Sequence, residues 1–261
     1  SRSDRVENVV KHATELAEKG VKEIVLTGVN LGDFGKGPDG AGRVIGMNQR
    51  EENFFELVQA LEEVKGIERY RISSIEPNLL TNEIIEWVAN SDKFMPHFHI
   101  PLQSGSNTIL SAMRRRYKRE LYAERVQLIK TLMPHCAIGV DVIVGFPGET
   151  DEHFRETTNF LHDLDITYLH VFTYSERDNT HALNLTPVVP INIRHERNKI
   201  LRNLSYRKMQ LFTEAHSGQY RKVLFEAQDK NGMMEGYTDN YIRIIAPHDA
   251  SKVNTISDWR I

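Results

Sequence analysis

Short runs of apolar and β-branched residues alternate along this chain with longer segments whose apolar positions recur at helical spacing, and that alternation constrains the fold more than any other feature. Strands are predicted at residues 23–27, 70–74, 97–101, 137–146 and 167–172, and helices at 6–19, 53–64, 82–89, 119–133 and 151–161. Strands joined through helices pair in parallel, because the crossover carries the chain back to the end of the sheet at which the preceding strand began. The expected class is therefore α/β, as an open barrel or a doubly wound sheet. Each strand runs into Gly, Asn, Ser, Pro or Gln, so functional groups gather at the strand C-terminal ends, where both folds place their sites.

The pattern changes after residue 172. Pro187 and Pro190 interrupt the chain, and residues 191–216 form one long helical stretch closed by Gly218. From Lys222 onward, residues 223–226, the Asn231-Gly232 turn, 236–238 and 241–245 read as short strands with tight turns. The organisation expected is a (βα) core over 1–190, a linker helix over 191–221 and a partial β module over 222–261. Residues 34–50, rich in Gly and polar side chains, read as a long loop suited to a lid.

Lys and Arg total 33 against 36 Asp and Glu, a net charge of −3, so no global basic field draws the protein to nucleic acid and any RNA contact must come from a local patch. Arg194, Arg197, Lys199, Arg202, Arg207 and Lys208 on the long helix supply one candidate patch. The alternative is a solvated amphipathic helix whose Ile200, Leu201, Leu204 and Leu211 face the core. The single cysteine, Cys136, excludes an intrachain disulfide framework and a thiolate-rich metal site built from these residues, which fits a reducing cytoplasm. No apolar run of about 18 residues suggests a membrane span. The start at Ser1, without Met and running at once into a helical pattern, reads as that of a fragment.

Four motifs offer chemistry. Thr27-Gly28-Val29-Asn30 ends the first strand, where glycine admits close backbone approach and Asn30 both donates and accepts. Gln103-Ser104-Gly105-Ser106 sets small polar groups before a helix, with Arg114-Arg115-Arg116 downstream, one of which is expected to turn toward the site. Gly145-Phe146-Pro147-Gly148-Glu149-Thr150 follows the most hydrophobic strand. Its acidic helix start, Glu149, Asp151 and Glu152, argues against a phosphate there and suits a nucleoside or a zwitterion better. His97 and His99 share a strand face by period-two alternation and, with His170 and Asp141, could hold a metal ion, which makes a metal-dependent hydrolase barrel the main rival reading.

Five phrases in register, Leu26-Thr27-Gly28-Val29-Asn30, Ser73-Ser74-Ile75-Glu76-Pro77, His99-Ile100-Pro101-Leu102-Gln103-Ser104-Gly105-Ser106, Met113-Arg114-Arg115-Arg116-Tyr117 and Asp141-Val142-Ile143-Val144-Gly145-Phe146-Pro147-Gly148-Glu149-Thr150, resemble the radical S-adenosylmethionine methylthiotransferases over nearly the whole chain. The first phrase is most similar to the branch acting on threonylcarbamoyladenosine beside the tRNA anticodon. The resemblance implies a partial (βα) TIM-like radical barrel followed by the start of a TRAM-like β module. It implies S-adenosylmethionine and 4Fe-4S clusters as cofactors, with the N-terminal domain and the CxxxCxxC loop absent from these residues and the fragment therefore inactive. The partners it implies are tRNA, through the anticodon stem-loop, and an electron donor, with no membrane and no DNA. By family position Thr27, Gly28 and Asn30 line the methionine end of the cofactor, and Ser73, Ser74 and Glu76 approach its methionine or ribose. Gln103, Ser104 and Arg115 meet its carboxylate and ribose, while Asp141, Gly145 and Phe146 lie near ribose and adenine. One departure is Asp178-Asn179, where the family often has Pro-Gly. A third reading keeps the barrel as scaffold for a non-catalytic RNA-binding module.

Overall fold

A computed structural model describes residues 3–35, 52–226 and 232–261. The loop expected over 34–50 and Asn231 of the expected turn lie almost wholly or wholly outside these residues. Seven α-helices and nine strands are present among them, and the strands form two sheets.

The first sheet takes β1 (Glu23–Leu26), β2 (Arg69–Ser73), β3 (Phe94–His99), β4 (Ala137–Val144) and β5 (Tyr168–Thr173) in chain order. Strands β1 and β2 pair in parallel with Glu23 opposite Arg69, and β4 and β5 with Gly139 opposite Tyr168. Strand order never reverses, which selects the barrel-type winding over the doubly wound sheet, whose binding crevice needs a reversal. The helices between them are α1 (Val6–Glu18), α2 (Phe54–Glu62), α3 (Asn82–Asn90), the short α4 (Asn107–Ala112), α5 (Arg119–Leu132) and α6 (Asp151–Asp163). Two of them start with reciprocal caps: Asn53 accepts from Glu56 N while the Glu56 side chain accepts from Asn53 N, and Thr150 and His153 repeat the pattern. Strand β3 begins three residues earlier than expected and carries Pro96 inside it, although proline is normally confined to strand edges and ends.

The chain divides into two compact units. One comprises residues 1–75, 79–98 and 216–261, and the other 76–78 and 99–215. In the first unit Leu57, Val58 and Leu61 of α2 and Ile84, Ile85 and Val88 of α3 are buried, as are Tyr70 and Ile72 of β2. The same unit holds the second, antiparallel sheet, ordered β8 (Arg243–Pro247), β7 (Met233–Thr238), β6 (Tyr220–Phe225), β9 (Ile256–Arg260). Sequence periodicity missed β9, because Ile-Ser-Asp-Trp-Arg is half exposed and polar; its pairing with β6, Tyr220 opposite Arg260, creates the strand. Two buried arginines of β2 reach this sheet's backbone: Arg69 donates to the carbonyls of Lys222 and Tyr237, and Arg71 to those of Thr238 and Asp239 while pairing with Glu23 at 2.8 Å. Burial lowers the Arg69 pKa and nearby Glu23 opposes that.

In the second unit Val140, Val142 and Val144 of β4 are fully buried with Ile138, Tyr122 and Ile129. Helix α7 (Ile191–Ala215) packs on β5, where Asn198 donates to Val171 O and the Ser205 hydroxyl both accepts from Leu169 N and donates to Leu169 O. The helix matches neither of the two readings offered for it in full, the basic patch or the amphipathic helix. Leu201 is buried, but Ile200 and Leu211 are 48% and 63% exposed, whereas Arg194 and Arg197 are buried because each guanidinium finds fixed acceptors. No helix among the described residues is long and apolar enough to cross a membrane.

Candidate functional site

Three of the expected site residues stand on left-handed backbone at strand ends. Ser74 (φ 73°) follows β2, Gln103 (φ 71°) lies four residues beyond β3, and Gly145 (φ 76°) follows β4. Only glycine adopts this conformation without cost; for Ser and Gln it costs about 1–2 kcal/mol and persists where surrounding bonds over-determine it. The bonds are present. Ser74 O accepts from Leu31 N; Gln103 N donates to Asp141 O and Gln103 O accepts from Ile143 N. At Gly145 a Cβ would stand 2.3 Å from Arg194 Cγ, so glycine is required twice over, by φ and by space. Asn179, where the family pattern has glycine, also has a positive φ of 62°, a conformation asparagine tolerates.

In the first unit Thr27 and Gly28 are exposed just past β1, Asn30 donates through its amide to Asp33, and Ser73 closes β2 half-buried. In the second unit Arg115 is the arginine of the triple that turns inward, pairing with Glu76 at 2.9 Å, while Arg114 and Arg116 stay exposed. The Ser104 hydroxyl is buried against Thr157 Oγ1 and accepts from Ser106 N, so it braces the loop from within. Tyr117 donates to Pro101 O and Leu102 O and Tyr122 to Ile100 O, sealing the carbonyls that lead to Gln103; burial pushes both phenols up. Phe146 meets Tyr174 edge to face. Glu149, which the sequence offered only as part of an acidic helix start, is buried and accepts from Gly145 N and from Arg197, both at 2.7 Å. The partners stand 48 residues apart, so no local signal could have announced the pair.

The histidine grouping is partly as expected. His99 Nε2 lies 2.7 Å from Asp141 Oδ1 and His170 Nδ1 lies 3.4 Å from the same oxygen, and all three ligand-capable atoms fall within 4.8 Å of one another. His97 is not in this group; its ring stacks on Tyr241, centroid to centroid 4.1 Å, because a shared strand face says nothing about the neighbour each ring meets. Burial would raise the Asp141 carboxyl, but hydrogen bonds from His170 and His99 outweigh it and hold the pKa at about 2. Phe172, two residues beyond His170, is 53% exposed on the same face, a surface aromatic that the sequence reading passed over.

The sequence profile of the radical SAM superfamily matches residues 1–161, more than half of the chain. Threonylcarbamoyladenosine tRNA methylthiotransferase MtaB of Bacillus subtilis is 39% identical over 249 residues, covering 94% of this chain and 53% of that protein. The tRNA-2-methylthio-N(6)-dimethylallyladenosine synthase of Clostridium tetani is 35% identical over 240 residues, covering 91% and 51%. The chain thus spans about half the length of the curated relatives it matches. Among solved structures, coproporphyrinogen III oxidase from Escherichia coli, described as a radical SAM enzyme, superposes with a TM-score of 0.53 at 13% identity, covering 81% of this chain and 44% of that one, a likeness of fold. With more than half of its length matched by that profile, the chain belongs to the radical SAM superfamily.

Proposed function

We propose that this chain is the cofactor-handling core of a tRNA methylthiotransferase that inserts a methylthio group at C2 of threonylcarbamoyladenosine beside the anticodon. The observation that carries the reading is the 39% identity to a threonylcarbamoyladenosine tRNA methylthiotransferase over 94% of the chain. The left-handed backbone at Ser74 and Gln103 supports it, since such strain concentrates where a backbone is set for a ligand. Arg116 and Lys118, exposed beside Tyr117 and Glu120 on a groove of about 680 Å³ in the second unit, are cations that a polyanionic partner such as tRNA would meet.

For S-adenosylmethionine each unit offers polar groups of the right kind. By the family resemblance Thr27, Gly28 and Asn30 would line its methionine end, and Ser73, Ser74 and Glu76 would approach its methionine or ribose; Gln103 and Arg115 would meet its carboxylate and ribose, and Asp141, Gly145 and Phe146 would lie near ribose and adenine, with Ser104 bracing the Gln103 loop. The chemistry this group supplies when bound is hydrogen-atom abstraction after reductive cleavage. The chain's own part is positional: Glu149 fixes the Gly145 turn through its backbone N–H, and Asp141 orients the two imidazoles. An iron-sulfur cluster does not fit these 261 residues. Cys136 is the single cysteine, it is buried, and its thiol points to Ala137 O, whereas such clusters take several thiolates. We derive no step through a cluster held here, and the isolated chain is inactive in this reading.

The test is the complete enzyme, reconstituted anaerobically with iron and sulfide and given S-adenosylmethionine, an electron donor and tRNA, with digested nucleosides weighed by mass spectrometry. A gain of one methylthio group on threonylcarbamoyladenosine is expected. A gain on dimethylallyladenosine instead would overturn the substrate and keep the chemistry, and no cofactor cleavage would overturn both. The His99, Asp141, His170 group favours a second reading, a metal-dependent hydrolase, which requires stoichiometric bound metal.

A further inference from the structure

The segment between α4 and α5 alternates between anchored and exposed side chains. Arg115 pairs with Glu76 at 2.9 Å, and Tyr117 is buried with its hydroxyl donating to Pro101 O and Leu102 O, the carbonyls just before Gln103. Arg114, Arg116 and Lys118 are the exposed positions. Among the described residues no carboxylate forms an ion pair with any of these three. A charge run is ordinarily a solvated face, but unpaired like charges within five residues repel one another, and they form a local positive patch on a chain whose net charge is −3. Arg114 adds a second observation. It closes α4 in the left-handed conformation (φ 57°), with Arg114 N donating to Ser111 O and Arg115 N to Leu110 O. In a helix ending bonded this way the left-handed position usually belongs to glycine, which adopts it without cost. Here the chain carries a cation instead. Arg116 and Lys118 line the 680 Å³ groove with Asn107, Ser111 and Glu120. Glu120 is the one acid lining it, and its charge is already engaged: Asn107 Nδ2 donates to both carboxylate oxygens at 3.0 Å and Arg119 to one of them.

We propose that Arg114, Arg116 and Lys118 form a phosphate clamp for the RNA strand that carries the target adenosine, on a backbone positioned by Arg115 and Tyr117. The proposal rests on the methylthiotransferase reading and deepens it by naming where the RNA backbone sits. Phosphate contacts fix register without reading sequence, so the clamp positions the strand and leaves the choice of base to other groups. Tyr117 ties the clamp to the Gln103 turn, so phosphates on the clamp and a ligand on that turn are held in one frame. RNA is favoured over an acidic protein surface because its charge recurs at every nucleotide along one strand, which suits three cations presented at alternate positions, whereas acidic side chains follow no such period.

The experiment measures binding of an anticodon stem-loop bearing threonylcarbamoyladenosine to the complete enzyme over a series of potassium chloride concentrations. Each phosphate contact in a single strand contributes roughly 0.7 to the slope of log K against log salt. Arg114→Gln, Arg116→Gln and Lys118→Gln combined should therefore flatten the slope by about 2, and each alone by about 0.7. The charge-conserving set, Arg114→Lys, Arg116→Lys and Lys118→Arg, should keep the wild-type slope. The proposal is overturned if the glutamine variant keeps the wild-type slope, or if the charge-conserving set loses it as fully, which would mark a structural role. An unchanged RNA slope together with weakened binding of an acidic electron-transfer protein would overturn it in favour of that partner. Methylthiolation of threonylcarbamoyladenosine tRNA by wild type is measured in parallel. Its absence overturns the functional reading and this inference with it, whereas its presence with an unchanged slope in the glutamine variant overturns this inference alone.

Discussion

Glu149 and Arg197 form an ion pair at 2.7 Å with side chains only 1% and 6% exposed, and the same carboxylate oxygen accepts from Gly145 N. Burial raises the Glu149 carboxyl above its usual range, and the Gly145 backbone and Arg197 work against that rise. The turn after β4 is therefore tied to α7 through one carboxylate.

Removing the guanidinium leaves that carboxylate buried and half unpaired. Arg197→Met is expected to cost about 3–5 kcal/mol in urea unfolding, and the double change with Glu149→Leu to recover a large part of it. A loss below about 1 kcal/mol, the range of a surface pair, would show that the pair does not fix the turn.

The Asp141 pKa of about 2 in the folded chain lies below its ordinary 3.8. A carboxyl held down by folding adds stability above the unfolded pKa and loses it as pH falls through the folded one. The difference of nearly two pH units corresponds to about 2 kcal/mol. Asp141→Asn should therefore be less stable than wild type from pH 5 to 7, with the gap closing between about pH 4 and 2 in thermal melts. A gap constant with pH would mean that the histidines do not hold the carboxylate.

Arg71 is 1% exposed and donates to two carbonyls at the end of β7, Thr238 O and Asp239 O. Arg71→Met leaves Thr238 O, Asp239 O and Glu23 without these donors. Amide exchange in residues 233–247 should accelerate by at least about tenfold, the equivalent of one lost hydrogen bond, with residues 137–144 unchanged. Equal acceleration in both segments would point to global unfolding instead.

Zinc analysis separates the two catalytic readings. If the methylthiotransferase reading holds, the purified chain carries no stoichiometric zinc, because His99 and His170 serve as hydrogen-bond partners of Asp141. One equivalent of zinc, lost on Asp141→Asn, would favour the hydrolase.

The parallel strands were legible because Ile, Val and Leu runs with helices between them admit few arrangements; even the doubly wound alternative differed only in strand order. The motif positions were legible too, yet nothing in Ser74 or Gln103 as residue types foretells a left-handed backbone, which neighbouring bonds impose. Long-range pairs were not. Arg197 looked like a phosphate ligand until the fold brought Glu149 and Asp151 to it, and His97 looked like a partner of His99 until Tyr241 stacked on it.

The inward arginines of α7 bear on how the protein would respond to ionic strength. Of the six cations counted on that helix, Arg194 donates to Tyr174 O, Val189 O and Glu176, Arg197 to Glu149 and Asp151, and Lys208 to His162 O and Leu164 O. Of the six, Lys199, Arg202 and Arg207 are the exposed ones. Binding that displaces counterions from RNA scales with the phosphates neutralised, at roughly 0.7–0.9 per contact in the slope of log K against log salt. Were RNA to bind along this helix, the helix would contribute a slope nearer to three contacts than to six, and that binding would survive moderate salt better than the composition suggests.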